Sequence, residues 1–125
     1  MQSLSILIAQ MDDRTGDLLA ANLRTHFREI RRVQGVNELW EGFSSNEEPY
    51  AIIVDLALID FQRLQEICQR FRNTAVICTH RLADDEMWTA ALAAGAADCC
   101  IPNDITSILR AASSTHLRTL PSKAA

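Results

Sequence analysis

The chain has 125 residues, 48% of them hydrophobic, with 12 basic and 16 acidic side chains and a formal net charge of −4. That size suits one domain around one core, and the acid excess argues against nucleic acid, whose binders carry a basic field. No apolar run approaches the ~20 residues of a membrane span, and the N-terminus lacks the basic-then-apolar order of a signal peptide, so a cytoplasmic protein is expected.

In chain order, Ser5 to Ala9 is a short continuous apolar run, the habit of a strand buried on both faces of a parallel sheet. Leu19, Leu23 and Phe27 follow at i, i+4, i+8 and predict a helix with one apolar stripe. The basic group Arg24, Arg28, Arg31 and Arg32 reads as a solvated face at that helix end. Glu29 to Val33 sets Ile30 and Val33 among arginines and predicts an edge strand. Val36, Leu39, Trp40 and Phe43 predict a second helix.

Ala51 to Val54 is the next buried strand, and Asp55 follows it directly, a costly place for a carboxylate unless it is partnered or open to solvent. Leu64, Ile67, Cys68 and Phe71 mark a third helix, and Ala75 to Cys78 a fourth strand. A fourth helix runs from the acids Asp84, Asp85 and Glu86 to Gly95, acid at the start and glycine past the end. Asp98 to Ile101 is the fifth strand, and a fifth helix after Pro102 and Asn103 aligns Ile105, Ile108, Leu109 and Ala112. Residues 1–114 are thus expected to form the domain, and 115–125 a tail or a linker cut short.

Five strands alternating with five helices imply a three-layer α/β/α fold, a doubly wound parallel sheet of order 2-1-3-4-5 in the flavodoxin-like manner. Function then belongs to the crevice at the carboxyl ends of the strands. The residues emerging there are Gln10, Met11, Asp12 and Asp13, then Asp55, then Thr79 and His80, then Ile101, Pro102 and Asn103. His80 reads as an ordinary loop residue, and no Cys/His spacing supports zinc. Cys68, Cys78, Cys99 and Cys100 show no CxxC motif and read as reduced core thiols, with Cys99 and Cys100 facing opposite sides of their strand.

The AIIVD segment ending at Asp55, the AALAAGAAD stretch around Gly95 and the element order resemble the CheY-like receiver domain of bacterial two-component response regulators. The resemblance covers about residues 4 to 112. It implies that Asp55 accepts a phosphoryl group from a histidine kinase and that an acidic pair after the first strand holds Mg²⁺. It also implies a hydroxyl after the fourth strand, a lysine after the fifth, and no enzymatic turnover of a metabolite. A gapless placement instead puts Gln10 and Met11 at the acidic pair, with Asp12 next in line as a weak Mg²⁺ ligand beside Asp55. It puts His80 at the hydroxyl position, Thr79 one residue early, and Pro102 at the lysine. These departures resemble the pseudo-receiver variant of the family, with a degenerate phosphorylation site.

The partner implied is a histidine kinase, an output domain or a second copy, met through the face from Asp84 to Ala112, with no direct nucleic-acid contact. The alternative readings are a small flavodoxin-like ligand-binding protein or enzyme, or a purely structural interaction domain. Against the former, MDDRTGD after the first strand offers one glycine and three acids where a phosphate cradle would stand.

Overall fold

The three apolar runs Ser5 to Ala9, Ala51 to Val54 and Ala75 to Cys78 form the middle of one sheet. The computed structural model describes residues 5–35, 37, 38 and 48–118. In chain order its elements are β1 (Ser5–Ala9), α1 (Asp13–Leu23), β2 (Glu29–Val33), β3 (Ala51–Asp55), α2 (Phe61–Arg70), β4 (Ala75–Thr79), α3 (Asp85–Ala93), β5 (Asp98–Cys100) and α4 (Ile105–Arg118). All strand pairs are parallel and the order is β2-β1-β3-β4-β5. The expected helix at Leu39, Trp40 and Phe43 lies outside the described residues, as does Val36. The last helix runs four residues past the boundary at Ser114 expected from the sequence.

Strand alternation divides the apolar residues between two cores. Leu7, Ala9, Ile52, Val54, Val76 and Cys78 face α2 and α3, packing on Leu64, Ile67, Phe71 and Ala91. Ile6, Ile8, Ala51, Ile53, Ala75 and Ile77 face α1 and α4, packing on Leu19, Leu23, Ile108 and Ala112. Burial on both faces is why β1, β3 and β4 read as unbroken apolar runs, each fully buried aliphatic contributing about 1.5–3 kcal/mol. Cys99 joins the first core and Cys100 the second. All four thiols are free, and burial pushes Cys100 up to about 12 and Cys68 up to about 11, values that leave them protonated at neutral pH.

Each described helix begins on an aspartate. Asp12, Asp60 and Asp84 accept the backbone N–H three residues on, from Thr15, Arg63 and Met87, and Asp104 does the same for Ser107. The carboxylates satisfy orphan amides at the positive end of each helix dipole. Hydrogen bonds from both the hydroxyl and the N–H of Thr15 hold the Asp12 carboxyl below the usual carboxylate range. Arg24, at the C-cap of α1, and Arg28 stand exposed, as expected of a solvated face at that helix end, and the other two arginines depart from it. Arg31 and Arg32 lie in edge strand β2, and Arg32 folds back onto α1, 3.6 Å from Asp13 and bonded to Asp17. Gly16 makes room for that guanidinium, which a Cβ there would overlap.

α3 ends in a Schellman turn: Ala96 N–H donates to Ala91 O (3.0 Å) and Gly95 N–H to Leu92 O (3.0 Å), with Gly95 at φ 111°. An L side chain is strained at that φ, and its Cβ would stand 3.0 Å from Cys68 Cβ. Gly95→Ala is therefore expected to cost about 1–2 kcal/mol, seen as a lower urea midpoint at unchanged slope.

Candidate functional site

The crevice forms where β1, β3 and β4 end at one level. Ala9 pairs with Val54, Asp55 with Thr79, and Thr79 with Cys100, so the residues after these strands meet at the carboxyl edge. A cavity of about 480 Å³ opens there, lined by Gln10, Met11, Asp12, Asp55, His80 and Pro102 of the sequence reading, with Thr15, Ala57 and Arg81 in addition. Gln10, Asp55 and His80 thus share one crevice, as the topology required.

Asp55 is held by backbone. Its Oδ2 accepts Met11 N–H (3.1 Å) and its Oδ1 accepts Ala57 N–H (2.9 Å). Met11 gives Asp55 only this amide; the residue is 60% exposed and also lines the cavity. Gln10 is buried, and its Nε2 donates to Thr79 Oγ1 at 2.9 Å. Because β1 and β4 flank β3, this bond spans the end of β3 beside the Asp55 carboxylate.

Thr79, expected one residue out of place, is the β4 partner of Asp55 and is fully buried, so it and not His80 is the hydroxyl on the acceptor's level. Strand parity decides this: Asp55 and Thr79 occupy the same step of neighbouring strands and so point to the same face. His80 lines the cavity, and its Nδ1 accepts Leu82 N–H at 3.0 Å within its own turn. Pro102 occupies the wall, and among the described residues no lysine lines the cavity. Asp12 reaches the rim, but its Oδ2 takes both the N–H and the hydroxyl of Thr15.

This donor set does not fit a divalent cation. Mg²⁺ demands hard, largely anionic oxygens in octahedral geometry, whereas beside the Asp55 carboxylate the strand end offers a neutral amide, a thioether and the Asp12 carboxylate, one of whose oxygens caps α1. Among the described residues no group of three His, Cys, Asp or Glu side chains is placed to hold a metal.

Sequence reasoning missed Arg81, which lines both this cavity and a neighbouring groove of about 290 Å³ between α1 and the turn after β5. Its only signal was its place two residues beyond the end of β4. On the Asp84–Ala112 face, Trp88 is 45% exposed and its Nε1 donates to Asp98 Oδ1 at 2.9 Å, tying α3 to β5. Among the alanines of α3, Ala91 is buried, Ala90 half-buried and Ala93 exposed.

No protein-family model and no curated protein matches the chain. Solved structures do. A putative response regulator from Chloroflexus aurantiacus J-10-fl matches with TM-score 0.79 at 21% identity, over 94% of this chain and 100% of that one. A response regulator from Burkholderia pseudomallei, solved with a phosphorylated aspartic acid, calcium ion and citrate, matches with TM-score 0.72 at 20% identity, over 91% and 71%. The beryllofluoride-activated NtrC4 receiver domain dimer matches with TM-score 0.76 at 14% identity, over 91% and 97%. The fold is that of receiver domains. No described helix is long and apolar enough to cross a membrane.

Proposed function

We propose that this chain is a receiver-type signalling domain of a two-component response regulator, cytoplasmic and not an enzyme, whose phosphorylation site is degenerate and whose output is protein contact. One observation carries the reading: Gln10 stands where an acid would bind metal, and its amide binds the Thr79 hydroxyl beside Asp55. A carboxylate that attacks phosphate needs the incoming charge offset by metal and lysine, and a hydroxyl free to turn toward the phosphoryl oxygens. Here the acceptor persists at the end of β3, no lysine lines its cavity among the described residues, and the Thr79 hydroxyl accepts the Gln10 amide.

Contact is assigned to the Asp84–Ala112 face, where exposed Trp88 stands on α3 among its small alanines. Its partner is a histidine kinase, an output domain or a second copy. Ala93, exposed on α3, is the site to test, since half-buried Ala90 would disturb packing as well. Sedimentation velocity of the wild type is expected to stay unchanged on adding beryllofluoride with Mg²⁺. Ala93→Glu should weaken self-association at least about tenfold, because a charge buried unpaired at an interface costs more than 1.4 kcal/mol. A dimer that assembles on beryllofluoride would sink the degenerate-site reading, and one indifferent to Ala93→Glu would remove the face.

A further inference from the structure

The crevice has a floor of hydrogen-bond acceptors and a cation at its mouth. On the floor, each oxygen of Asp55 takes a single backbone N–H, leaving lone pairs toward the cavity. Gln10 is 5% exposed and lines the cavity, and with Nε2 committed to Thr79 its carbonyl Oε1 receives no donor from the described residues. No buried side-chain nitrogen or oxygen among the described residues lacks a partner, so Oε1 is open to the cavity. At the mouth, Arg81 is exposed and makes no ion pair or hydrogen bond with the described residues.

We infer that this crevice binds a small zwitterion of the α-amino acid class, its ammonium on Asp55 and Gln10 Oε1 and its carboxylate on Arg81. An ammonium group brings one charge and three directed N–H donors, which match a carboxylate and a neutral carbonyl where a divalent cation would demand more anionic oxygen. The planar guanidinium of Arg81 suits a carboxylate through two parallel bonds. The volume of about 480 Å³ falls within the range of small-molecule sites, and Met11, Ala57 and Pro102 supply apolar wall for a side chain. The inference deepens the proposed function by naming an input for a domain that lacks a phosphoryl one, and it rests on that reading in this respect alone.

The test is an amide-resolved NMR titration of the whole chain with each standard L-amino acid singly, and with ethylamine, acetate and Mg²⁺ as separate probes. At least one amino acid is expected to shift the Met11, Asp55 and Ala57 amides saturably. Asp55→Asn and Arg81→Ala, each checked for an unchanged far-ultraviolet spectrum, should weaken that binding at least about tenfold. Absence of a saturable shift with every amino acid overturns the inference and leaves the degenerate-receiver reading standing. Ethylamine binding as tightly as the best amino acid overturns it too, since Arg81 then contributes nothing. Saturable Mg²⁺ shifts on the same amides would overturn both.

Discussion

Incubated with millimolar Mg²⁺ and acetyl phosphate, the wild-type protein is expected to gain no phosphoryl group by intact mass, and Gln10→Asp with Met11→Asp is expected to create Mg²⁺ binding. A phosphoryl group brings close to two negative charges, and like unit charges 4–6 Å apart repel by about 3–4 kcal/mol at an effective dielectric of 20. Asp12, which lines the same cavity, is held ionised by its two bonds to Thr15. With a donor set that suits Mg²⁺ poorly and no lysine in the cavity among the described residues, that repulsion is expected to lower modification at least about a hundredfold below that of a complete site. The double change removes the Gln10–Thr79 bond, frees the hydroxyl and places two carboxylates beside Asp55. Titration calorimetry then reads Mg²⁺ binding directly. Robust phosphorylation of the wild type would overturn the degenerate-site reading, and a double variant that ignores Mg²⁺ would count against Gln10 and Met11 as the metal positions.

Phe71→Ala is expected to cost about 3–5 kcal/mol, a large share of the 5–15 kcal/mol that holds a typical domain together. Phe71 is 1% exposed, closes α2 through its N–H to Ile67 O (2.9 Å), and fills the core between α2 and the sheet. The Arg70 guanidinium lies 5.1 Å from the ring centroid, so truncation removes a cation–π contact as well. For a chain of this size the melting temperature should drop by roughly 10–25 °C. A loss below about 1 kcal/mol would mean that the site collapses around the cavity.

The sheet was legible because burial on both faces leaves a simple trace. Ser5 to Ala9, Ala51 to Val54 and Ala75 to Cys78 carry no polar side chain but that of Ser5, and the structure adds only Asp55 and Thr79 to their ends. Helix starts were half legible: Asp84 stood out among acids, while Asp60 and Asp104 cap just as directly without such company. The crevice was legible as a list of residues but not as a set of partners. Which of Thr79 and His80 shares a face with Asp55 depends on a one-residue register between strands distant in sequence, and a linear pattern does not fix that parity. The Gln10–Thr79 bond joins residues 69 positions apart, and a lone Arg81 in a loop gives no periodic signal.

The two outer strands carry a further consequence. β2 presents Glu29, Arg31 and Arg32 along its length, and β5 is three residues long. A charged margin and a stub are both poor templates for adding another strand. Two copies of this molecule therefore have little means of continuing one another's sheet. Fibre-like growth is disfavoured at both borders, which favours encounters through helical surfaces and turns, contacts that can form a finite complex and come apart again.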